Sequence, residues 1–304
     1  MKKYLITHTD LDGISPIILL SLTNEDFDYK CLDIKDLDVF FEELKNADLS
    51  EYDEIYFTDL SLTDEMYKIL TGLNKNIKVF DHHETHLFAN IYDFVTVKVN
   101  LNNRPTCGTE LFYEFLKDKY DLLNNENIKN YVEYVRQIDT FTFTSDIPKQ
   151  LDMLKESMDK NDFIKSISRR LKKDKPFAFT SFEKRFIKLK TNEIERYIKS
   201  KEKGLQRVNI NGYTCGIIFA EVNKSVIGDY IAKKYDDIDI VILINAANRI
   251  SYRSVKDDVD VAEFAANFGG GGHKHASGSK FDDSDRLNIL RAYFTNVQEL
   301  DKKI

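Results

Sequence analysis

One segment of the chain reads Ile77-Lys78-Val79-Phe80-Asp81-His82-His83, a short apolar run that ends in an acid and two adjacent histidines. The apolar run predicts a buried strand, so the polar triplet falls at the carboxyl end of that strand. Ligands of open α/β sheets bind beyond the carboxyl ends of the strands. We therefore interpret the triplet as the edge of a ligand site, where one imidazole binds a metal and the other contacts a phosphate. The plainer alternative is a pair of hydrogen-bonded loop histidines.

Two other predicted strands end in similar side chains. The apolar run at residues 4–7 is followed by His8, Asp10 and Asp12, and a later strand ends at Asp59. Helical patterns separate the strands, which is typical of a parallel sheet with crossover helices. The carboxyl ends of such strands meet at one edge, so we expect an α/β domain whose polar side chains converge there.

The side chains at this edge have the composition of a site for two divalent metal ions. Mixed imidazole and carboxylate donors favour Mn²⁺ or a similar ion, and the lack of cysteine donors argues against structural zinc. Two such ions lie about 3.5–4 Å apart and would share a bridging water, which becomes the hydroxide that attacks phosphorus. The chain has six histidines, and each lies in or beside a motif. The expected donors are His8, Asp10, Asp12, Asp59, His82 and Asp139, with one carboxylate bridging the ions.

Structural roles are the alternatives for most of these donors. Asp10 could cap the helix that follows it, and Asp12 could form a turn with Gly13. Asp59 and Asp139 could each be the N-cap of a helix. The recurrence of one pattern after several strands favours the metal site over a set of separate caps and turns.

The composition limits the class of protein. The chain has 304 residues, 42% of them hydrophobic and 31% charged, which indicates a globular protein with room for two domains. A net charge of −7 argues against long duplex nucleic acid as a partner, because duplexes bind mainly to basic surfaces. The apolar runs are too short for a membrane span, and the N-terminus becomes polar too soon for a signal peptide. Three widely spaced cysteines indicate reduced thiols, so we expect a cytoplasmic protein.

The second half of the chain predicts a different kind of domain. We expect a first domain at residues 1–180, a connecting helix at residues 181–204 and a smaller α/β domain at residues 205–304. The smaller domain begins with a predicted hairpin around Asn211-Gly212. A last helix is predicted at residues 284–294.

A glycine-rich segment of the smaller domain is a candidate anion site. Four consecutive glycines at residues 269–272 predict a loop whose N–H groups face an anion, with His273 and Lys274 as further donors. The alternative is a flexible linker. Arg253 could hold a phosphate through two N–H groups, and its alternative is a solvated strand arginine.

These motifs resemble those of the DHH phosphoesterase superfamily, in particular its nanoRNase and bisphosphorylated-adenosine phosphatase members, over nearly the full length. His8-x-Asp10-x-Asp12-Gly13 resembles the first family motif, and the second to fourth motifs resemble Asp59, Asp81-His82-His83 and Asp139. The glycine-rich signature of the DHH-associated C-terminal domain resembles Gly270-Gly271-Gly272-His273-Lys274-His275-Ala276-Ser277-Gly278. The chain departs from the pattern at Thr9, where many relatives have proline, and in the short gap between His8 and Asp10.

The resemblance implies a Rossmann-like catalytic domain with two Mn²⁺ ions that share Asp59. It implies that His8 and Asp10 bind one ion, while the other ion is bound by Asp12, His82 and Asp139. His83 would contact the scissile phosphate, and Asp81 would orient an imidazole. The remainder of the substrate would lie across an interdomain cleft and would contact Arg253, Ser254, Gly271, Gly272 and His273.

The function implied by the resemblance is that of a phosphoesterase. Its substrates would be short single-stranded oligonucleotides, linear dinucleotides or 3′,5′-bisphosphorylated adenosine, and a homodimer is compatible with it. The alternatives are an inorganic pyrophosphatase or exopolyphosphatase of the same superfamily, and a non-catalytic nucleotide-binding relative. A pyrophosphatase needs more basic side chains around the phosphates, and a degenerate relative loses metal ligands. The Gly-Gly-Gly-His signature argues against a pyrophosphatase, and the complete donor set argues against a non-catalytic relative.

Overall fold

The computed structural model describes residues 2–173, 175–245, 249–280, 284 and 288. The chain forms two compact units, Met1–Ile187 and Lys188–Ile304. The first unit has a main sheet built from five strands, which are β1 (Lys2–Thr7), β2 (Asp26–Cys31), β3 (Tyr52–Thr58), β4 (Asn76–Asp81) and β5 (Val95–Val97). The strand order is β2-β1-β3-β4-β5 and every pairing is parallel, which confirms the predicted α/β fold class.

Helices connect and cover these strands. They are α1 (Leu11–Leu22), α2 (Leu37–Leu44), α3 (Asp64–Gly72), α4 (Gly108–Lys117), α5 (Glu126–Asp139), α6 (Ile147–Ser157) and α7 (Lys160–Leu171). A short antiparallel pair, β6 (Asn100–Leu101) and β7 (Arg104–Pro105), precedes α4. Thr63 caps α3, because its side chain accepts a hydrogen bond from the N–H of Met66.

The main sheet is buried on both faces by apolar layers. Successive strand residues point to opposite sides, so Tyr56 packs with α1, α4 and α5 while Ile55 and Phe57 pack with α2 and α3. This arrangement explains the continuous apolar runs of the strands, which are typical of parallel sheets covered by helices.

Helix α1 begins at Leu11 and contains Pro16 in its second turn. Proline has no N–H group, so Pro16 cannot donate to the carbonyl of Asp12. The hydroxyl of Thr109, in the first turn of α4, donates to that carbonyl at 2.6 Å instead. Because Pro16 leaves the carbonyl of Asp12 without its helical donor, that carbonyl is available to link α1 to α4 through Thr109.

The second unit is built around a six-stranded sheet. After α8 (Ser181–Glu202), within which the boundary between the units falls, the described elements are β8 (Gln206–Ile210), β9 (Tyr213–Phe219), α9 (Lys224–Lys234), β10 (Ile240–Ile244), β11 (Arg249–Arg253), α10 (Val261–Ala266), β12 (Gly271–His273) and β13 (Ala276–Lys280). The order is β12-β13-β11-β10-β9-β8. Only β9 and β10 are parallel among these described strands, and the predicted β8–β9 hairpin at Asn211-Gly212 is confirmed.

Part of the glycine-rich segment differs from its prediction. Gly271 to His273 form an edge strand that pairs with β13, rather than a free loop. The pairing depends on the missing side chains, since a Cβ on Gly270 would lie 2.2 Å from the carbonyl oxygen of Gly278. Glycine has low strand propensity, so sequence alone does not indicate a strand here.

Two further sequence predictions concern the last helix and a membrane span. The last helix, predicted at residues 284–294, lies outside the described residues except for Ser284 and Asn288, which are helical. Within the described residues, no helix combines the length and the apolar character that a membrane span requires.

Candidate metal centre

The candidate centre lies where the strand order of the first sheet reverses direction. The chain moves from β1 to β2 on one side and then returns to β3 on the other, so the carboxyl ends of β1 and β3 form a topological switch point. Thr7 and Thr58, the last residues of these strands, are register partners. The parallel register therefore brings the segment that begins at His8 beside Asp59.

Six of the predicted donors meet at this edge in overlapping groups. His8, Asp10 and Asp59 offer ligand atoms within 4.8 Å of one another, and so do Asp12, His82 and Asp139. A third group of the same kind contains Asp59, Asp81, His82 and His83. The structure thus brings the predicted donor set together, with Asp59 common to two groups, whereas the metal-binding role of each residue stays a prediction.

His8 lies between two carboxylates. Its Nδ1 is 3.0 Å from Oδ2 of Asp10 and 3.7 Å from Oδ2 of Asp59. Asp10 also caps α1, since its Oδ1 accepts from the N–H of Gly13 at 2.8 Å. The capping role and the metal role therefore coexist in one side chain, because capping occupies one oxygen and the other faces His8.

His82 projects its Nε2 into a second group of carboxylates. That atom is 3.4 Å from Oδ1 of Asp59, 3.5 Å from Oδ2 of Asp139 and 3.8 Å from Oδ2 of Asp12. Asp139 is the last residue of α5 and Asp59 follows β3, so neither occupies the N-cap position of a described helix. The N-cap alternatives for these two acids are therefore wrong.

Two atoms at the centre are buried and have no hydrogen-bond partner among the described residues: Nε2 of His82 and Oδ2 of Asp59. A buried polar atom without a partner costs free energy, so such atoms need an explanation. A divalent cation coordinated by imidazole nitrogen and carboxylate oxygen would satisfy both atoms. The donor set, which contains nitrogen and oxygen but no sulfur, fits an ion of the Mn²⁺ type.

The acids of the centre repel one another. Burial, followed by the nearby charge of Asp12, raises the pKa of Asp59 to about 6 and that of Asp139 to about 8. A bound cation would reverse this repulsion and return both carboxyl groups to their ionised form.

The imidazoles respond in the opposite direction. The nearby carboxylate of Asp10, and after it that of Asp59, raises the pKa of His8 to about 10. Burial alone would lower the pKa of His82, but the carboxylates of Asp59 and Asp139 outweigh it and raise the value to about 10. Without a metal both rings are protonated at neutral pH, so metal binding must release their protons and tightens as the pH rises.

Asp59 has an uncommon backbone conformation. Its φ angle is +53°, in the left-handed region that non-glycine residues seldom adopt. The conformation is held by the neighbouring strand, because the N–H of Asp59 donates to the carbonyl of Phe80 at 2.9 Å. Backbone strain of this kind is concentrated at functional sites, and here it turns the carboxylate toward both histidines.

The start of α4 holds Asp12, and sequence reasoning did not find this contact. The N–H groups of Gly108 and Thr109 donate to its two carboxylate oxygens at 2.7 Å and 2.8 Å. A Cβ on Gly108 would lie 2.9 Å from Cβ of Asp59 and 3.1 Å from Oδ2 of Asp12. The Gly108-Thr109 pair at the start of a helical pattern is the sequence feature that could have indicated an anion-binding helix start. It does not indicate Asp12 as the bound carboxylate, because Asp12 lies almost a hundred residues earlier in the chain.

Asp81 is fully buried beneath the histidines. One oxygen lies 2.7 Å from Nδ1 of His83 and the other 2.9 Å from Nδ1 of His86, which the sequence analysis did not assign. Burial alone would raise the pKa of Asp81, but these two imidazoles hold it well below its ordinary value. Asp81 therefore orients two rings at once, and it leaves Nε2 of His83 free for another contact.

The residues predicted to bind substrate in the second unit have varied surroundings. Arg253 is half-buried, donates to Ser225 Oγ at 3.0 Å, and forms no ion pair with a described carboxylate. Burial lowers the pKa of its guanidinium. Ser254 is buried and its hydroxyl accepts from the N–H of Lys256 at 3.2 Å, whereas Gly271, Gly272 and His273 are exposed. Their contact with a substrate stays a prediction.

Comparison with known proteins agrees with the family resemblance of the motifs. No protein-family model matches the chain. The chain is 29% identical to the oligoribonuclease NrnB of Bacillus subtilis over 293 residues, which cover 92% of this chain and 73% of that protein. This relative and the motifs point to the DHH phosphoesterase superfamily. The named relatives support a metal-dependent hydrolase of phosphate esters, as the motifs predict.

Other members of the comparison agree in fold. The chain is 23% identical to a 3′,5′-cyclic-nucleotide phosphodiesterase of Helicobacter pylori over 337 residues, 93% of each chain. The structure of PggH, a pGpG-specific phosphodiesterase from Vibrio cholerae, matches with a TM-score of 0.59 at 16% identity, covering 98% of this chain and 99% of that one. RecJ of Thermus thermophilus matches with a TM-score of 0.52 at 10% identity, covering 100% of this chain and 50% of that one.

Proposed function

We propose that this DHH phosphoesterase uses two Mn²⁺ ions to hydrolyse very short oligonucleotides, linear dinucleotides or 3′,5′-bisphosphorylated adenosine. The observation that carries the proposal is a pair of buried atoms at the meeting point of the donor groups, Nε2 of His82 and Oδ2 of Asp59, to which no described residue offers a hydrogen bond. The relatives named for oligoribonuclease and nucleotide phosphodiesterase activity support a nucleotide substrate.

The metal ligands follow the two main donor groups. His8 and Asp10 hold one ion, Asp12, His82 and Asp139 hold the other, and Asp59 is shared. When bound, the ions neutralise the phosphate oxygens and activate a water molecule for attack on phosphorus. The role of the chain is to fix this arrangement before substrate arrives, through the strained backbone of Asp59 and the N–H groups that hold Asp12.

His83 is positioned to bind the scissile phosphate. Its ring is half-buried, Asp81 fixes its Nδ1, and the hydrogen bond to that carboxylate raises the pKa of the imidazole. The raised pKa favours the protonated form of the ring, which donates from Nε2 to a phosphate oxygen. The positive charge would favour the transition state, in which negative charge accumulates on the phosphate.

Arg253 is the proposed ligand of a second phosphate or of the nucleotide end of the substrate. It has no described carboxylate partner. Its aliphatic stem packs directly against Gly228, where a Cβ would lie only 2.6 Å from Cγ of Arg253. A half-buried guanidinium without a counter-ion is a strong anion donor. Gly271, Gly272 and His273, which are exposed on the edge strand β12, are proposed as further contacts.

A substrate panel with Mn²⁺ tests this function. Phosphate or nucleotide release is measured for dinucleotides, longer strands, cyclic nucleotides, 3′,5′-bisphosphorylated adenosine and pyrophosphate. We expect dinucleotides or bisphosphorylated adenosine to have the highest kcat/KM. Faster turnover of pyrophosphate would replace the proposal with a pyrophosphatase, and faster turnover of long strands would contradict the short-substrate claim.

Matched carboxylate variants separate the centre from general effects. Asp59→Asn removes a shared metal ligand, and we expect kcat to fall by about 10³-fold or more because metal-assisted stabilisation is lost. Asp64→Asn, which changes a half-exposed carboxylate of α3 that pairs with Lys68, serves as the control and keeps full activity. Equal activity of both variants would contradict the proposed centre.

A further inference from the structure

A cavity of about 650 Å³ lies in the first unit, at the ends of α6 and α7 and the start of α8. This volume is in the range of small-molecule sites. Its lining residues lie between Leu154 and Phe186 in sequence, so the cavity contains none of the donors of the metal centre.

Helix α5 lies between the cavity and the metal centre. Helix α5 starts beside the cavity, where Asn127 donates to the carbonyl of Lys175 at 2.5 Å and accepts from the N–H of Phe177 at 2.6 Å, and it ends at Asp139. The intervening helix is about 18 Å long. Two stacked nucleotides extend only about 7 Å, so a dinucleotide at the metal centre does not reach the cavity.

The cavity is basic in an acidic protein. The whole chain has a net charge of −7, yet residues 165–203 contain fourteen Lys and Arg against five Asp and Glu. Arg169, Lys173 and Lys175 line the cavity and form no ion pair with a described carboxylate. Among the described lining residues, Glu183 is the one that is acidic, and it forms an ion pair with Arg170. The remaining charge is suited to an anion.

Arg170 adds a donor that the described residues leave unused. Its Nη2 pairs with Glu183 and donates to Ser166 Oγ at 2.8 Å, whereas its Nη1 is buried and has no partner in the described part of the chain. A buried N–H group without an acceptor costs free energy. A bound phosphate oxygen would supply the acceptor for Nη1 of Arg170.

Aromatic rings line the same cavity. Phe177 is half-buried beneath the Arg170 guanidinium, 5.7 Å from the ring centre, and Phe186 is also half-buried. Phe182, in the first turn of α8, is 78% exposed. Exposed aromatic rings beside basic side chains are the usual means of binding a nucleobase next to its phosphate.

We propose that this cavity is a second nucleotide site, which binds a nucleoside 5′-phosphate with its base on Phe182 and Phe186 and its phosphate on Arg169, Lys173 and Arg170. The proposal goes beyond the hydrolytic function, because the site shares no residue with the metal centre. The bound nucleotide is either a free molecule or the far end of a longer strand.

Calorimetric titration with adenosine 5′-monophosphate tests the proposal on the full chain in EDTA, so that no hydrolysis occurs. The background variant is Arg253→Ala, which removes the anion donor of the second unit. We expect saturable binding to persist, and inorganic phosphate or adenosine alone to bind at least about tenfold more weakly. Failure of the proposed hydrolysis would leave this result unchanged, so the two proposals fail independently.

Charge-matched variants locate the binding. We expect Arg169→Ala with Lys173→Ala to weaken adenosine 5′-monophosphate at least about tenfold. The control, Lys184→Ala with Lys188→Ala, removes the same charge from exposed positions of α8 outside the cavity and leaves the affinity unchanged. Phe182→Ala alters an exposed ring, so it keeps the fold and weakens binding about tenfold through loss of stacking.

Binding that fails to saturate, or that is equal in the cavity and control variants, overturns the proposal. Kinetics then distinguish the two sources of the nucleotide. If the site holds the end of a strand, the double cavity variant raises KM for an oligonucleotide of about eight nucleotides, which exceeds the helix length, but not for a dinucleotide. If it holds a free nucleotide, added adenosine 5′-monophosphate changes dinucleotide turnover in the wild type and not in the cavity variant.

Discussion

Gly108 begins α4 in a space that has no room for a side chain. In a Gly108→Ala variant the new Cβ would lie 2.9 Å from Cβ of Asp59 and 3.1 Å from Oδ2 of Asp12. We expect both carboxylates to move, and metal affinity to fall by about 10–100-fold, as it does when supporting contacts of ligands are lost. Metal titration followed by calorimetry measures the change.

The control for this variant is Gly72→Ala. Gly72 is the last residue of α3, and a Cβ there meets nothing within 4 Å. Alanine is the better helix former, so the control should gain stability, by up to about 1 kcal/mol, with unchanged metal affinity. A loss of affinity in the control, or none in Gly108→Ala, would disprove the steric explanation.

Phe141 is a bulky residue held in an unfavourable conformation two positions after Asp139. Its φ angle is +55°, its side chain is 65% exposed, and its loop is fixed by Arg136, which donates to Thr140 and Thr142. Asparagine tolerates the left-handed region, so Phe141→Asn should raise the free energy of unfolding by about 1 kcal/mol. Loss of the ring should also raise KM for a dinucleotide about tenfold through lost stacking.

Urea denaturation and steady-state kinetics check both effects of Phe141→Asn. The control is Phe219→Asn, which alters a ring of similar exposure, 61%, on strand β9 of the second unit. It should gain no stability, because its backbone is not left-handed, and its KM should not change. If Phe141→Asn is destabilising and fully active, the ring serves the fold rather than the substrate.

At the scale of an element, α8 starts with a reciprocal cap. The hydroxyl of Thr180 accepts from the N–H of Glu183 at 3.2 Å, and the Glu183 carboxylate accepts from the N–H of Thr180 at 2.8 Å. Burial alone would raise the pKa of Glu183, but hydrogen bonds from Arg170 and Thr180 outweigh it and hold the pKa below its ordinary value of 4.5. The Thr-x-x-Glu pattern of this capping box is legible in the sequence.

The lowered pKa of Glu183 fixes the sign of a pH dependence. A carboxyl group with a depressed pKa in the folded state stabilises the protein above pH 4.5, and the contribution disappears as the pH falls through the folded value. Glu183→Gln should therefore cost about 2 kcal/mol at pH 7, and the difference from wild type should shrink below pH 4.5.

Urea denaturation across this pH range checks the prediction. Glu193→Gln is the control on the same helix, because its ion pair with Lys190 is exposed and contributes less than about 0.5 kcal/mol. A cost for Glu183→Gln that is constant between pH 3 and pH 7 would show that its charge is not responsible.

The sequence predicts elements more completely than their contacts. Apolar strands that are followed by acids and histidines identify the parallel sheet and its binding edge. They do so because hydrophobic periodicity predicts the elements, and ligands of such sheets bind at the carboxyl ends of the strands. Three features of the site depend on contacts between segments that the sequence does not pair. They are the left-handed backbone of Asp59, the hydrogen bonds from Gly108 and Thr109 to Asp12, and the contact of His86 with Asp81. The strand formed by Gly271 to His273 likewise comes from pairing with β13 and not from propensity.

At the scale of the whole molecule, metal ions should contribute to stability. Without them, burial, and after it the charge of neighbouring Asp12, raises the pKa of Asp59 to about 6 and that of Asp139 to about 8. Mn²⁺ at a hundred times its dissociation constant should stabilise the fold by about 2.7 kcal/mol per site, and EDTA should lower Tm by about 5–10 °C for each ion that it removes. Calorimetric scans with and without EDTA test this. A similar shift in Asp59→Asn would place the metal elsewhere.

Anomalous X-ray diffraction at the manganese edge tests the central claim most directly. Crystals grown with Mn²⁺ should show two peaks about 3.5–4 Å apart. One peak should lie within coordination distance of His8 and Asp10, the other within that distance of His82 and Asp139, and Asp59 should contact both. A single peak, or two peaks without Asp59 between them, would contradict the two-metal account.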